Sequence, residues 1–180
     1  TEAQRAAAEQ VIHELQTGKI EVVRFSIPDQ HGILRGKTLT TEEAVKAIRS
    51  GVTITTTIFA KDTSHKTVFP VFSPGGGFAM PEMEGAADAL MIADPVTFRV
   101  LPWAPHTGWL LCDAYFSNGQ PVPFATRQLF RNVLERLNGA GFELMAGLEV
   151  EFHIFSAVNP QIRTSSPGQP GEPPDVEPIS

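Results

Sequence analysis

The chain has 180 residues, of which 42% are hydrophobic, and it carries a formal net charge of -6 at pH 7. This length accommodates one domain, or one domain and part of a second. The acidic balance, with a pI near 5.3, argues against nucleic acid or an anionic membrane as the main partner, and no apolar run is long enough to span a bilayer.

The first third of the chain predicts two helices and three strands. Apolar residues at helical spacing indicate an N-terminal helix that stops at Gly18. Two strand-like runs flank the turn signal from Pro28 to Gly32, so they predict a hairpin. A second helix follows, with acidic residues in its first turn, where the helix dipole favours them. The predicted elements are a helix over 2–16, strands over 21–27 and 33–39, a helix over 41–49 and a strand over 52–59.

The middle of the chain begins with a polar, glycine-rich stretch over residues 60–85. Its three consecutive glycines, Gly75 to Gly77, are followed by neither Lys-Ser/Thr nor a helix, so a mobile surface loop is favoured over a phosphate cradle. Short strands are predicted over 88–93, 97–101 and 109–113. Cys112 lies in the last of these strands. As the only cysteine it cannot form an internal disulfide, which fits a reducing cytoplasm, and its apolar neighbours predict a buried thiol.

Pro121 and Pro123 mark a predicted domain boundary. The next segment, Thr126 to Asn138, has the apolar stripe of an amphipathic helix and is closed by Gly139. The last 25 positions, Ser156 to Ser180, are rich in proline and contain too few apolar residues to fold alone. Strands with one intercalated helix before the boundary, and a helix after it, together predict an α+β fold.

Residues 147–155 read G-L-E-V-E-F-H-I-F and predict a strand. Side chains alternate between the faces of a strand, so Glu149, Glu151 and His153 would share one face and the two carboxylates would stand roughly 7 Å apart. Such a pair suits one wall of a Mg²⁺ or Mn²⁺ site, because hard divalent cations prefer oxygen ligands. The alternative is an exposed strand face with two solvated glutamates. The residues predicted to enter the core are Leu148, Val150, Phe152 and Ile154.

Four segments in order resemble the glutamine synthetase family. V-R-F-S-I-P-D-Q-H-G-I-L-R-G-K at 23–37 is similar to the first hairpin of its N-terminal β-grasp domain, and its RGK form resembles the branch with γ-glutamylpolyamine ligases. D-A-L-M-I-A-D-P at 88–95, and L-P-W-A-P at 101–105 followed by L-C-D, resemble later strands of that domain. G-L-E-V-E-F at 147–152 resembles the strand that opens the catalytic domain. The resemblance implies an N-terminal helix over 1–17, a β-grasp domain over 18–120, the start of a catalytic α+β domain over 121–155, and a Pro-rich loop or tail over 156–180.

The function that this resemblance implies is ATP-dependent ligation of glutamate to ammonia or a small amine through a γ-glutamyl phosphate. Glu149 and Glu151 match the positions of metal ligands for Mg²⁺ or Mn²⁺, while the nucleotide pocket would lie mostly beyond residue 180. Family members form homo-oligomeric rings, in which a β-grasp acidic residue enters the neighbouring active site and accepts a proton from ammonium. Asp62 is the candidate for that residue, and a solvated loop aspartate is the alternative.

A second interpretation is a stand-alone, non-catalytic β-grasp module that binds or assembles with other proteins. The two interpretations differ in what lies beyond this chain. An intact mass well above 19.5 kDa would favour the ligase, and agreement with 180 residues would favour the module or a truncation. As a ligase fragment, the 180 residues alone are predicted to be inactive, because they supply only one wall of the site.

Overall fold

The computed structural model describes residues 1–159 and 173–179, which form a mixed α/β structure. The helices are α1 (Glu2–Thr17), α2 (Thr41–Ser50) and α3 (Thr126–Gly139). The strands are β1 (Val22–Pro28), β2 (Leu34–Thr40), β3 (Val52–Thr55), β4 (Asp88–Val100), β5 (Thr107–Phe116), β6 (Phe155–Ala157) and β7 (Val176–Pro178). The first five strands form one sheet in the order β2-β1-β5-β4-β3, and β6 pairs with β7 in a separate ribbon.

The core lies where the central strands of the five-stranded sheet meet the first two helices. β1 pairs antiparallel with β2 and parallel with β5, so it is hydrogen-bonded along both edges. Both α1 and α2 contact the sheet, and α1 buries Val11, Ile12 and Leu15. Removing these side chains from water is the main favourable contribution to folding. The largest side chains with no more than 1% exposure include Val23, Phe25, Met83, Met91, Leu110 and Val122.

The predicted elements before residue 52 are confirmed, and several later strands differ from the prediction. The predicted strand over 52–59 ends at Thr55, and Thr56–Ala60 form a 3₁₀ helix that buries Phe59 and Ala60. The strands predicted over 88–93 and 97–101 are one strand, β4, with an irregular register between Asp94 and Arg99. Pro95 has no N–H to donate to the ladder, which accounts for the irregular register. In the same stretch, the hydroxyl of Thr97 accepts the backbone N–H of Leu111 at 2.9 Å.

Two glycines of the glycine-rich segment, Gly76 and Gly77, are buried. The prediction of a surface loop is therefore wrong for these two residues. Gly77 has a φ of +69°, and a Cβ there would meet atoms of Met83 at 2.7 to 2.8 Å. A side chain at this position would therefore have to displace a core methionine and adopt a disfavoured backbone conformation. The mobility of this segment stays a prediction.

Helix α3 docks on the sheet through polar side chains. Arg127 bonds to the carboxylates of Asp94 and Asp113, and Arg131 also bonds to Asp113, at 2.8 Å. The buried Gln128 accepts the backbone N–H of Ala114 at 2.7 Å through its Oε1. These ion pairs are partly buried, so desolvation offsets part of their attraction and their main effect is to fix the position of the helix. The predicted apolar stripe of α3 instead faces outward, with Leu129, Phe130 and Val133 more than half exposed.

The predicted strand over 147–155 is wrong for this chain. Residues 142–154 form neither helix nor strand, and β6 begins only at Phe155. A strand requires a neighbour to accept its backbone hydrogen bonds, and no described strand lies beside this segment. The side chains predicted to enter the core are exposed, namely Leu148 (88%), Val150 (68%), Phe152 (73%) and Ile154 (59%).

The predicted Pro-rich tail over 156–180 contains most of the two-stranded ribbon. Ser156 and Ala157 of β6 pair with Glu177 and Val176 of β7, and all residues of both strands are exposed. Positions 160–172 and 180 of the predicted tail lie outside the described residues. Among residues 1–159 and 173–179, no helix is long and apolar enough to cross a membrane.

Cys112 is buried in β5, as the sequence predicts, with 1% of its surface exposed. Burial raises the pKa of its thiol to about 12, because the thiolate would lose its hydration. The thiol is therefore neutral at physiological pH and is not a nucleophile.

The turn between β1 and β2 is held by a buried carboxylate, Asp29, which is 2% exposed. Its Oδ1 accepts the backbone N–H groups of His31 and Ile33, both at 2.9 Å, and its Oδ2 accepts Nε of Arg35 at 2.9 Å. Burial by itself would raise the pKa of Asp29, but the hydrogen bonds from Arg35 and the two amides outweigh it and lower the pKa below 3.8.

We expect Asp29→Asn to lower the free energy of unfolding by about 2 kcal/mol at pH 7, because the partly buried guanidinium of Arg35 loses its anionic partner. Chemical denaturation would measure it. The lowered pKa means that the carboxylate stabilises the native state above pH 3.8, and that this contribution is lost as the pH falls through the folded-state pKa. The difference between the two proteins should therefore shrink in acid. Glu43→Gln, in the exposed pair with Lys46 and in the first turn of α2, is the control and should lower the free energy of unfolding by no more than about 0.5 kcal/mol. A difference that persists undiminished at pH 2 would contradict this account.

Candidate functional site

Asp62 closes a short loop between the 3₁₀ helix Thr56–Ala60 and Val68. Its Oδ1 accepts the backbone N–H of Lys66 at 2.8 Å, and its own N–H donates to the carbonyl of Lys66 at 2.9 Å. Lys61 and Thr67 form an antiparallel bridge at the base of the loop. Asp62 therefore has a structural role in its loop. Its other carboxylate oxygen, Oδ2, makes no hydrogen bond to the described part of the chain.

The Asp62 loop is tied to the β1–β2 hairpin at two points. Nε2 of His31 lies 3.2 Å from the carbonyl of Lys61, and Nη1 of Arg35 lies 2.8 Å from Nδ1 of His65. A guanidinium can only donate, so Nδ1 of His65 is the acceptor and the ring carries its proton on Nε2. Asp29 holds the other side of Arg35, so a continuous path of bonds runs from the buried carboxylate in the hairpin turn to the loop.

A cavity of about 520 Å³ opens beside Asp62. Its walls come from the hairpin turn, the Asp62 loop, the glycine-rich segment and the stretch before α3. Three aromatic rings dominate them, with Phe124 in edge-on contact with Phe59 and Phe78 at centroid distances of 6.1 Å. The cavity is lined by Gln30, His31, Phe59, Ala60, Lys61, Asp62, Val68, Phe78 and Phe124.

Phe78 is held in an unusual backbone conformation at this cavity. Its φ of 60° and ψ of 29° are left-handed, which is costly for a residue with a Cβ. The neighbouring Ala79 also has a positive φ, of 58°. Phe78 as a residue is nevertheless 54% exposed, and its ring lies edge-on to Phe69 with the centroids 5.1 Å apart. Burial of the ring therefore does not account for the conformation.

Glu149 and Glu151 lie in the exposed segment between α3 and β6. Within residues 1–159 and 173–179, no cluster of three or more His, Cys, Asp or Glu side chains is placed to hold a metal ion. The oxygen chemistry of the two carboxylates suits Mg²⁺ or Mn²⁺, but two ligands do not complete a coordination shell. No described hydrogen bond or ion pair joins either residue to the Asp62 loop.

Sequence reasoning missed the aromatic cavity and the role of Arg35. Phe59, Phe78 and Phe124 come from three separate segments, so no local pattern connects them. Arg35 is one residue of the predicted hairpin, and in the structure it links Asp29 to His65 of the Asp62 loop. The one available signal was that Asp29 lies in the predicted turn and Arg35 lies in the strand that follows it.

Comparison with known proteins identifies relatives along the whole chain, although no family model matches it. A γ-glutamylanilide synthase from Acinetobacter sp is 34% identical over 186 aligned residues, covering 100% of this chain and 37% of that protein. A type-1 glutamine synthetase from Dictyostelium discoideum is 27% identical over 153 residues, covering 85% of this chain and 28% of its own length. The chain thus spans about a third of the length of these relatives.

Comparison with solved structures identifies proteins of similar fold. The structure of GmaS without ligand matches with a TM-score of 0.54 and 28% identity, over 72% of this chain and 26% of GmaS. A GmaS/ADP complex matches with the same TM-score and 26% identity, over 72% of this chain and 25% of GmaS. Sequence and structure therefore agree on one class, the glutamine synthetase-like proteins. The relatives of this chain in sequence and its neighbours in structure are glutamine synthetase-like proteins.

We expect Asp62→Ala to speed amide hydrogen exchange at Lys66 by about tenfold, because the loop loses one charged cap to that N–H. Exchange measured by NMR would report it directly. Asp62→Asn is the matched control, since the amide oxygen of Asn keeps the hydrogen bond and the variant should exchange like the parent. Equal exchange rates in all three proteins would contradict a structural role for Asp62 in its loop.

Proposed function

We propose that this chain is the N-terminal part of an ATP-dependent ligase that joins the γ-carboxylate of glutamate to an amine. The observation that supports this best is the match to a γ-glutamylanilide synthase over the full length of the chain. The match to GmaS in complex with ADP supports a nucleotide as the energy source. The substrates would be glutamate, ATP, and ammonia or a small amine.

The proposed reaction has two steps. An oxygen of the glutamate γ-carboxylate attacks the γ-phosphorus of ATP, which releases ADP and forms a γ-glutamyl phosphate. The amine nitrogen then attacks the acyl carbon, phosphate leaves with its bonding electron pair, and the nitrogen loses a proton. Divalent cations such as Mg²⁺ or Mn²⁺ would offset charge on the transferring phosphoryl group, and the protein would mainly position the reactants.

Asp62 is proposed to accept the proton of the amine. Its Oδ1 is engaged by Lys66, while Oδ2 has no partner in the described residues. The loop is braced from the hairpin by His31 and Arg35, so the carboxylate is held in place. In a homo-oligomeric ring this loop would complete the active site of the neighbouring subunit.

Glu149 and Glu151 are proposed to supply carboxylate ligands to the divalent cations. Both side chains are exposed and lie in a segment that lacks partner strands in this chain. The remaining ligands would come from parts of the protein outside these residues, as the lengths of the relatives suggest. The segment would become a strand when such partners pair with it.

The division into domains is also part of this proposal. The parallel central pair β1–β5, flanked by antiparallel neighbours in a five-stranded sheet, supports a β-grasp domain over 18–120. The outward apolar stripe of α3 and the exposed apolar residues of 148–154 support a second domain that begins near 121. Exposed apolar surface of this extent is expected where another part of a protein packs.

In the complete protein, we expect release of ADP that depends on both glutamate and an amine. Glu149→Gln and Glu151→Gln should each lower kcat by about 100-fold or more, because each removes a charge that holds a catalytic cation. A coupled ADP assay would measure turnover, and electron paramagnetic resonance would measure bound Mn²⁺. Glu143→Gln, in the same exposed segment, is the control and should be unaffected.

Asp62→Asn keeps the loop and removes the proton acceptor, so it should also lower kcat while leaving the binding of Mn²⁺ unchanged. Full activity in the Glu149→Gln, Glu151→Gln double variant would remove the metal assignment. A complete protein without any glutamate-dependent turnover would instead favour the non-catalytic module.

The 180 residues alone should release no ADP in the presence of ATP, Mg²⁺, glutamate and ammonium. Phosphoryl transfer requires the phosphate, the cations and the acceptor to be held together, and only part of that arrangement is present here. The same assay on a protein of confirmed mass, against a glutamate-free blank, would test this expectation. Glutamate-dependent turnover by the 180-residue chain would show that the proposed active site is wrongly placed.

A further inference from the structure

Building on the ligase proposal, we propose that the cavity beside Asp62 seats the apolar substituent of the acceptor amine. The hydrocarbon part would lie against Phe59, Phe78 and Phe124, and the nitrogen would lie at the carboxylate of Asp62. The occupant is thus a primary amine that bears an aromatic or branched aliphatic group.

The chemistry of the cavity walls favours an amphipathic cation. Phenylalanine rings, Ala60 and Val68 form the apolar part, and the polar residues belong to only two segments, Gln30–His31 and Lys61–Asp62. The ammonium of Lys61 donates to Oγ1 of Thr67 at 2.9 Å, and the ring of His31 contacts the carbonyl of Lys61. Oδ2 of Asp62 is the anionic atom that is left to receive a charged donor.

The volume of the cavity distinguishes such an amine from ammonia. Small-molecule sites typically enclose about 300 to 1,000 Å³, and this cavity has about 520 Å³. Ammonia would leave the aromatic walls in contact with water. An aryl or branched alkyl group would cover them, and burial of apolar surface favours binding. An aromatic face also attracts a cation placed above it.

The conformation of Phe78 is a second, independent observation. A left-handed phenylalanine that is half exposed is not explained by burial, and such strain is concentrated at ligand-binding positions. The strain places the ring edge-on to Phe124, which itself packs on the buried Phe59. The wall is therefore formed before a ligand arrives, so little ordering cost accompanies binding.

The first test is binding to the 180-residue chain, which requires no turnover. Benzylammonium is the probe, methylammonium is the small-amine comparison, and NMR of labelled phenylalanine rings is the readout. We expect millimolar benzylammonium to shift the resonances of Phe78 and Phe124, and methylammonium to bind about tenfold more weakly. Phe78→Ala should weaken benzylammonium about tenfold, whereas Phe72→Ala, at an 85% exposed position outside the cavity, should not change it.

The second test is kinetic and uses the complete protein. Phe78→Ala should raise KM for benzylamine about tenfold and change KM for ammonium by less than about twofold. Val68→Trp, at a 57% exposed position, should fill the cavity and have the same selective effect without disturbing the core. Ligand-dependent ring shifts without any turnover would support the cavity and overturn the ligase. Turnover in which both variants treat the two amines alike, with no ring shifts, would overturn the cavity assignment and leave the ligase intact.

Discussion

The buried carboxylate of Asp29 is the constraint on which the arrangement of the candidate site depends. It satisfies two amides of the β1–β2 turn and fixes the guanidinium of Arg35, which in turn holds His65. Burying this carboxylate is costly, and its three donors offset that cost. Since each donor has a fixed direction, the hairpin turn and the Asp62 loop are built as one unit. The walls of the cavity between them are therefore connected by hydrogen bonds to the buried carboxylate of Asp29.

Helix α3 reverses the usual orientation of an amphipathic helix. Arg127, Arg131 and Gln128 contact the sheet, whereas the side chains that are more than half exposed are Leu129, Phe130 and Val133. Polar contacts of this kind are specific in direction, whereas apolar surface tolerates many arrangements. The polar contacts thus fix the orientation of the helix on the sheet and leave its apolar stripe exposed. An exposed apolar stripe of this kind is suited to packing against another part of a protein.

Elements that depend on near neighbours in the chain were predictable, and those that depend on distant ones were not. α1, the β1–β2 hairpin, α2 and α3 follow from periodicity, turn residues and capping, which are local signals. The strand expected over 147–155 has the right alternation but lacks a partner to accept its hydrogen bonds, so the pattern alone was insufficient. Asp62 came from family resemblance, and the two glutamates came from the strand alternation together with that resemblance. The aromatic cavity joins residues as far apart as Phe59 and Phe124, which no window of sequence relates.

The burial of Cys112 gives the sheet an internal reporter. Its thiol is 1% exposed and has a pKa near 12, so thiol reagents cannot react with it in the folded chain. Cys112 belongs to the buried core cluster, so a reagent can reach the sulfur only when the packing over the sheet opens. Because the sequence has a single cysteine, the alkylation rate reports the opening of this part of the core. The same rate, measured with a partner present, would show how far that partner stabilises the core.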